Sequence, residues 1–147
     1  MKIIKAQPID LTAVHELHNE VLACKYSYDS LAKELTFPYS DFYVLKNNEQ
    51  IVAYFIIHYL FETMDLVTLA VRPDYQGLGY GSFLMDYIVY LAKKNNCTHI
   101  MLEVSEHNGK ALSFYKKHHF NLINKRLDYY AKAVHALILR KELTDEK

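Results

Sequence analysis

The chain reads Gln76-Gly77-Leu78-Gly79-Tyr80-Gly81 between an apolar, strand-like segment and a long amphipathic helical pattern. This stretch holds three of the four glycines of the protein. Glycines let a backbone come close to a ligand, and the N–H groups at the start of a helix attract an anion. The sequence therefore predicts that a phosphate or pyrophosphate group binds at residues 76–81.

Outward from this turn, hydrophobic periodicity predicts helices and strands along the whole chain. Before the turn we expect four strands, over residues 2–6, 42–45, 51–60 and 64–71, and two helices, from Asp10 to about Cys24 and from Ser27 or Asp29 to about Leu35. After the turn we expect helices over residues 82–94 and 108–117, and strands over residues 98–104, 121–130 and 134–143. Antiparallel strands followed by strand–helix units are typical of the α+β class, here a mixed, mostly antiparallel central sheet flanked by helices.

Composition limits the architecture and the partners. With 147 residues, 51% of them hydrophobic, the chain fits a single domain over residues 1–147. Seventeen basic and seventeen acidic residues give a formal net charge of zero, which argues against nucleic acid or an anionic membrane as a partner. The longest apolar stretch, residues 51–61, is interrupted by His58 and is too short to span a bilayer.

The two cysteines, Cys24 and Cys97, have no paired spacing, and the first residues do not resemble a secretory leader. This usage is typical of a reducing compartment, so we expect a cytoplasmic protein with two free thiols.

The eight histidines raise the question of a metal site. In the segment His15-Glu16-Leu17-His18 the histidines are three residues apart, whereas a zinc-protease helix requires a spacing of four. We therefore expect a solvated helix face and no metal cofactor. The pairs Lys93-Lys94 and Lys116-Lys117 are interpreted as solvated helix ends.

Two familiar phosphate-binding loops do not fit residues 76–81. A Walker A loop needs Lys-Ser or Lys-Thr after its last glycine, but Gly81 is followed by Ser82 and Phe83. A dinucleotide fingerprint needs a third glycine at the position that Ser82 occupies. A tight strand-to-helix turn that binds nothing remains an alternative.

With its flanks, the stretch resembles the acyl-coenzyme A pyrophosphate loop of the GNAT acetyltransferase superfamily, Gln/Arg-x-x-Gly-x-Gly/Ala, and the preceding Leu69-Ala70-Val71-Arg72-Pro73-Asp74-Tyr75 resembles the approach to that loop. The resemblance implies acetyl-CoA as cosubstrate, bound by Gln76, Gly77, Leu78, Gly79, Tyr80, Gly81 and Ser82. It also implies that Leu69, Ala70 and Val71 form a wall beside the thioester, where a backbone N–H group stabilises the oxyanion. Either lysine pair could contact the 3′-phosphate of the adenosine.

Four further segments resemble the bacterial ribosomal-protein-alanine N-acetyltransferases and related N-terminal acetyltransferases. They are Leu102-Glu103-Val104, Asn108 with Ala111, Ser113-Phe114-Tyr115, and Arg126 with Tyr129-Tyr130. This resemblance implies that Glu103 is the general base, directly or through water, that Tyr115 is the general acid, that Asn108 contacts the pantetheine arm, and that Tyr129 and Tyr130 line the acceptor entrance. Asn108 also fits a helix cap.

Plainer alternatives remain for the two catalytic candidates. The apolar run of residues 100–104 predicts a buried strand, in which a carboxylate such as Glu103 is costly. Glu103 could instead be a salt-bridged glutamate at an edge, and Tyr115 could be a packing residue on its helix face.

Two departures from the family pattern stand out. Where the family commonly has a glycine, this chain has Lys116-Lys117-His118-His119-Phe120, and we expect a histidine there in the left-handed conformation. The run Ala131-Lys132-Ala133-Val134-His135 before the last strand lacks the acidic residues that are common in the family, so a cationic amine would find no carboxylate there.

The predicted reaction is acetyl transfer from acetyl-CoA to a primary amine, preferably a protein N-terminal α-amine, by direct attack in a ternary complex. The alternatives are acetylation of a small amine (an amino acid, a polyamine or an antibiotic) and an acyl-CoA-binding sensor with little turnover.

Overall fold

A computed structural model describes residues 1–22 and 26–143, with the side chains of Tyr130 and Ala131 outside the description. Its strands are β1 Lys2–Lys5, β2 Ser40–Asn47, β3 Gln50–Leu60, β4 Thr63–Val71, β5 His99–Ser105, β6 Asn121–Ala131 and β7 Val134–Glu142. The helices of the described part are α1 Leu11–Val21, α2 Tyr28–Glu34, α3 Tyr80–Lys94 and α4 Gly109–Lys117. Every predicted strand and helix is present, with bounds shifted by a few residues, and the predicted end of the first helix near Cys24 lies outside the described residues.

The strands form one seven-stranded sheet in the order β1-β2-β3-β4-β5-β7-β6. Strands β4 and β5 pair in parallel over Thr63–Asp65, opposite His99–Met101. The pairs β1–β2, β2–β3, β5–β7 and β6–β7 are antiparallel. The mixed, mostly antiparallel sheet with helices confirms the predicted α+β class.

The residues divide into two compact units, Met1–Tyr59 with Leu66–Leu84, and Leu60–Asp65 with Met85–Lys147. Strand β4 and helix α3 contribute residues to both units, so this division does not test the expectation of a single domain, which stays a prediction.

In the first unit, helices α1 and α2 pack their apolar faces on the strands. The spacing of Leu11, Val14 and Leu17 places these side chains on one face of α1, and all three are buried in a core that includes Leu31 of α2. Asp10 precedes α1 as predicted, but its carboxylate accepts a hydrogen bond from the Gln7 N–H at 2.9 Å instead of capping the helix. Ser27 caps α2 by accepting from the Ser30 N–H at 3.0 Å.

In the second unit, strand β5 alternates between buried and outward positions. Ile100, Leu102 and Val104 are buried, and helix α4 adds the buried ring of Tyr115. In the described part of the chain, no helix has the length and hydropathy needed to cross a membrane.

Candidate functional site

The last residues of β4 lead into the glycine-rich turn. Alternation along β4 buries Ala70 and leaves Leu69 and Val71 half-buried on the opposite face. After the strand, a single 3₁₀ turn, Pro73–Tyr75, redirects the backbone. The side-chain amide of Gln76 donates a hydrogen bond to the Val71 carbonyl at 2.8 Å, which connects the turn to the end of the strand.

The turn has a backbone that only glycine adopts without strain. Gly77 has φ +76° and Gly79 has φ +95°, both in the region that L side chains rarely occupy. A Cβ atom placed on either residue would meet no heavy atom within 4 Å outside its immediate neighbours. The surface above these glycines is therefore open to a group that approaches the backbone closely.

Helix α3 begins directly after the turn, at Tyr80. Its first turn contains Gly81 and Ser82, and the Phe83 N–H donates to the Gly79 carbonyl at 3.0 Å. The exposed Leu78 lies on the turn, and the ring of Tyr80 packs on that of Tyr75. An open glycine turn at the positive end of a 15-residue helix fits a pyrophosphate group.

Glu103 is an outward residue of β5. Its carboxylate pairs with the guanidinium of Arg126, with Oε1 and Nη1 3.2 Å apart, and 32% of the side chain is exposed. The burial that the apolar run predicted for this carboxylate is wrong, because strand alternation turns Leu102 and Val104 inward and Glu103 outward. The structure shows the salt bridge of the alternative considered above, but not its edge position, because β5 lies between β4 and β7 in the sheet.

Tyr115 lies on the buried face of α4. Its ring packs against Phe114 and Phe120, with centroids 5.3 and 5.4 Å away. Burial raises the pKa of the Tyr115 hydroxyl above its ordinary value, so this group keeps its proton throughout the neutral range. Packing on the helix face is thus confirmed, and a protonated hydroxyl can still donate.

The end of α4 holds Tyr115 in place. The Phe120 N–H donates to the Tyr115 carbonyl at 3.0 Å, and the His119 N–H donates to the Lys116 carbonyl at 3.0 Å. These two hydrogen bonds are the pair that defines a Schellman motif. His119 has φ +68°, which confirms the predicted histidine in the left-handed conformation.

Asn108 caps α4 as predicted. Its side-chain oxygen accepts from the Ala111 N–H at 3.1 Å, while its own N–H donates to the Ser105 carbonyl at 3.0 Å. The cap fixes how the chain passes from β5 into α4.

The two predicted acceptor-side tyrosines lie near the end of β6. Tyr129 is half exposed, and the guanidinium of Arg126 lies 5.5 Å from its ring centroid. The side chain of Tyr130 lies outside the described residues.

Sequence reasoning missed an ionic cluster at the β6–β7 hairpin. Glu106 lies 3.3 Å from the Lys125 ammonium and 3.5 Å from the His135 ring, and Asp128 accepts from the Ala133 N–H at 2.6 Å. Desolvation acts to raise the pKa of Glu106, but the hydrogen bonds and charges of Lys125 and His135 outweigh it and lower the pKa. The expectation that residues 131–135 have no carboxylate nearby is wrong. Glu106, directly after β5, and Asp128, within β6, both contact this segment.

The remaining histidine, lysine and cysteine expectations have mixed outcomes. His18 is fully buried on the core face of α1 and bonds the Tyr54 hydroxyl, so the expected solvated helix face is wrong there. Both lysine pairs are exposed, as predicted for helix ends. Cys97 is a free, buried thiol, whereas Cys24 lies outside the described residues. Within residues 1–22 and 26–143, no group of three or more His, Cys, Asp or Glu side chains could hold a metal ion.

The predicted site residues fall into both units. The first unit holds Leu69, Ala70, Val71 and residues 76–82, and the second holds Glu103, Asn108, Tyr115 and Tyr129. Within the second unit, the Arg126 side chain links Glu103 and Tyr129.

The chain is similar to known acetyltransferases in sequence and in fold. A [Ribosomal protein bS18]-alanine N-acetyltransferase of Haemophilus influenzae is 27% identical over 130 residues, which cover 88% of each chain. In fold, the chain is similar to the ribosomal-protein-S18-alanine N-acetyltransferase of Escherichia coli, with a TM-score of 0.89 at 23% identity over 99% of this chain and 96% of that one. It is also similar to the PaiA N-acetyltransferase of Thermoplasma acidophilum in complex with coenzyme A, with a TM-score of 0.80 at 18% identity over 97% and 98% of the two chains.

A family model covers most of the described site. It matches residues 11–120 and carries the description Acetyltransferase (GNAT) family. This range includes the glycine-rich turn, Glu103, Asn108 and Tyr115. The chain therefore belongs to the GNAT acetyltransferase family and is an acetyl-CoA-dependent N-acetyltransferase.

Proposed function

We propose that this enzyme transfers the acetyl group of acetyl-CoA to the α-amine of a protein N-terminus, by direct attack in a ternary complex. The observation that carries the choice of acceptor is the Haemophilus relative, whose name specifies N-acetylation of an alanine of ribosomal protein bS18 and whose similarity covers 88% of both chains. Because an alanine side chain has no nitrogen, such an acceptor is a backbone α-amine, which is free only at an N-terminus. Because the acceptor in that name is a ribosomal protein, we place the reaction in the cytoplasm.

The glycine-rich turn is the proposed pyrophosphate site, with Gln76, Gly77, Leu78, Gly79, Tyr80, Gly81 and Ser82 as binding residues. The open surface above Gly77 and Gly79 supports this role, because phosphate oxygens can reach backbone N–H groups where no Cβ stands in the way. Bound acetyl-CoA supplies the activated acetyl thioester. The backbone at Leu69, Ala70 and Val71 is the proposed donor of an N–H group to the oxyanion.

Glu103 is the proposed general base. About a tenth of α-amines are neutral at pH 7, since their ordinary pKa lies near 8, so attack on the carbonyl carbon can begin from the neutral amine. The nitrogen then carries an extra proton that must leave, and the exposed Glu103 carboxylate accepts it through water.

Tyr115 is the proposed general acid. When the carbon–sulfur bond breaks, the departing thiolate takes the proton of the Tyr115 hydroxyl, and that hydroxyl regains a proton after the products leave. The raised pKa supports this role in one respect, because the proton is present at neutral pH. It also makes the transfer uphill, since thiols have pKa values near 8.5.

Asn108 and the tyrosines of β6 complete the proposal. Asn108 contacts the pantetheine arm while capping α4, and Tyr129 and Tyr130 line the acceptor entrance. The half-exposed ring of Tyr129 supports a role in binding a peptide.

An acceptor panel tests the function. The purified enzyme and acetyl-CoA are given an alanine-initiated peptide, the same peptide with a blocked N-terminus, free alanine, and spermidine, and thiol release is followed together with the mass of the product. We expect acetylation of the free peptide alone. Acetylation of only the small amines would contradict the N-terminal acceptor, and tight acetyl-CoA binding without turnover would indicate a sensor.

Two substitutions test the catalytic roles. Glu103→Gln and Tyr115→Phe should each lower kcat at least tenfold while the Kd for acetyl-CoA changes by less than about twofold, the expected result for interactions made only in the transition state. Unchanged turnover in either variant would remove that residue from the mechanism.

A further inference from the structure

The Glu103 carboxylate is held from two strands away. Glu103 on β5 lies opposite Ile138 of β7, and Arg126 on β6 lies opposite Ala136 of β7. The guanidinium of Arg126 therefore reaches across β7 to contact Glu103 Oε1 at 3.2 Å. The guanidinium also lies 5.5 Å from the centroid of the Tyr129 ring.

We propose that Arg126 is a positioning residue that holds the Glu103 carboxylate in the orientation needed to accept the proton of the amine. This inference rests on the proposed role of Glu103. An exposed glutamate samples several rotamers, whereas a general base must stay within hydrogen-bond reach of the proton that it takes. Pairing at Oε1 restricts the carboxylate and leaves Oε2 with accepting capacity.

The Tyr129 ring restricts the position of the guanidinium. A planar guanidinium packs on an aromatic face with a modest cation–π attraction, and this limits its own motion. Arg126 is about half exposed, so without the ring its long side chain would lose more conformational entropy when it pairs with Glu103. The order of contacts is therefore ring, guanidinium, carboxylate.

The neighbouring residue offers a matched control. Lys125 precedes Arg126 on β6 and has similar exposure, but its ammonium pairs with Glu106, 3.3 Å away, instead of Glu103. Lys125→Gln removes one positive charge from the same hairpin, as Arg126→Gln does. Any difference between the two variants therefore separates contact with Glu103 from a general change of charge.

The experiment is a double-mutant cycle. Turnover is measured for the wild type, Arg126→Gln, Glu103→Gln and the double variant, with the alanine-initiated peptide or, if the panel rejects it, with whichever amine is acetylated. We expect Arg126→Gln to lower kcat about two- to fivefold, as the loss of a partly exposed ion pair allows, with the KM for acetyl-CoA unchanged. In the Glu103→Gln background the same change should have no further effect. Arg126→Lys should recover part of the loss, and Lys125→Gln should match the wild type.

Each other outcome has a distinct meaning. An equal fold-loss from Arg126→Gln in both backgrounds would overturn the inference, because a structural role does not need the Glu103 carboxylate. Full activity of Arg126→Gln, with Glu103→Gln impaired, would overturn the inference and leave the proposed base intact. Full activity of Glu103→Gln would refute the base and the positioning role together. If Arg126→Gln does not fold, the cycle is run with Arg126→Lys, and equal loss in both backgrounds again refutes the inference.

Discussion

The stability of the end of α4 should increase when His119 is replaced by glycine. His119 follows the last helical residues with φ +68°, at the position where a Schellman motif usually has glycine. A side chain in the left-handed region costs about 1–2 kcal/mol because its Cβ crowds the following carbonyl. Glycine removes this strain, but it also makes the unfolded chain more flexible, which lowers the free energy of unfolding by about 0.5–1 kcal/mol.

The expected net gain for His119→Gly is about 0.5–1 kcal/mol in the free energy of unfolding. For a chain of 147 residues, this corresponds to an increase in Tm of roughly 1–4 °C. Urea unfolding measures the free energy directly, and an unchanged m-value would show that the native state is altered only locally. The Tyr115 carbonyl keeps its bond from the Phe120 N–H, so turnover should stay within about twofold of the wild type.

The preceding histidine is the control. His118 has φ −93°, which any residue adopts readily, so His118→Gly gains nothing from relief of strain and should lower stability by about 0.5–1 kcal/mol. Equal effects of the two glycine substitutions, or a loss of stability in His119→Gly, would refute the assignment of strain to His119.

Three further outcomes are expected. Gly79→Val should weaken acetyl-CoA binding about fivefold or more by calorimetry, because a branched side chain at φ +95° adds more than about 1 kcal/mol of strain to the turn; unchanged affinity would show that the turn does not hold the cosubstrate. Asn108→Ala removes the cap on the Ala111 N–H and should cost about 1 kcal/mol in urea unfolding, and a loss below a few tenths would contradict the cap. Burial, aided by the charge of Lys117, lowers the pKa of His118, so the unfolded chain binds this proton more readily and stability falls as the pH drops below about 6.5. His118→Gln should therefore show a smaller loss of stability between pH 7 and 5 than the wild type, and an identical slope would contradict the shift.

The elements that sequence reasoning found are those whose signals are local. Hydrophobic periodicity over residues 42–45 and 51–60 predicted the strands β2 and β3, and Asn48, in the turn between them, has φ +57°, which asparagine tolerates. Asn108 was identified as a cap from its place before an amphipathic pattern, and its bond to the Ala111 N–H forms within one helical turn. In both cases the deciding contacts lie within a few residues of each other.

Two wrong predictions concern the direction in which a single side chain points. The apolar run around Glu103 suggested burial, but a strand residue between two inward neighbours must point outward. His18 was placed on a solvated face because the histidine spacing does not fit a zinc-protease helix, although its spacing of four from Val14 puts it on the buried stripe of α1. In the core His18 bonds the Tyr54 hydroxyl, whose oxygen lies 3.2 Å from Thr68 Oγ1.

Contacts between distant residues were beyond local signals. Glu106 and His135 are 29 positions apart, yet the His135 N–H donates to the Glu106 carboxylate at 3.4 Å. Their contact depends on the antiparallel register in which Ser105 lies opposite Ala136. No sequence pattern close to either residue indicates this register. This register, together with the register of β6 on β7, brings Arg126 within reach of Glu103, so the partner of the proposed base became visible only with the strand order.

The packing of Tyr115 at the end of α4 constrains the chemical role that we propose for this residue. The Tyr115 carbonyl closes the Schellman motif with Phe120, and the same two residues pack ring against ring. This packing fixes the direction of the phenol, and the accompanying burial raises its pKa. A looser helix end would leave the hydroxyl more acidic but less well placed, so the packing that orients this proposed proton donor also makes its proton harder to release. The strained His119 is consistent with this balance, because the motif persists although the chain lacks the glycine that would form it most easily.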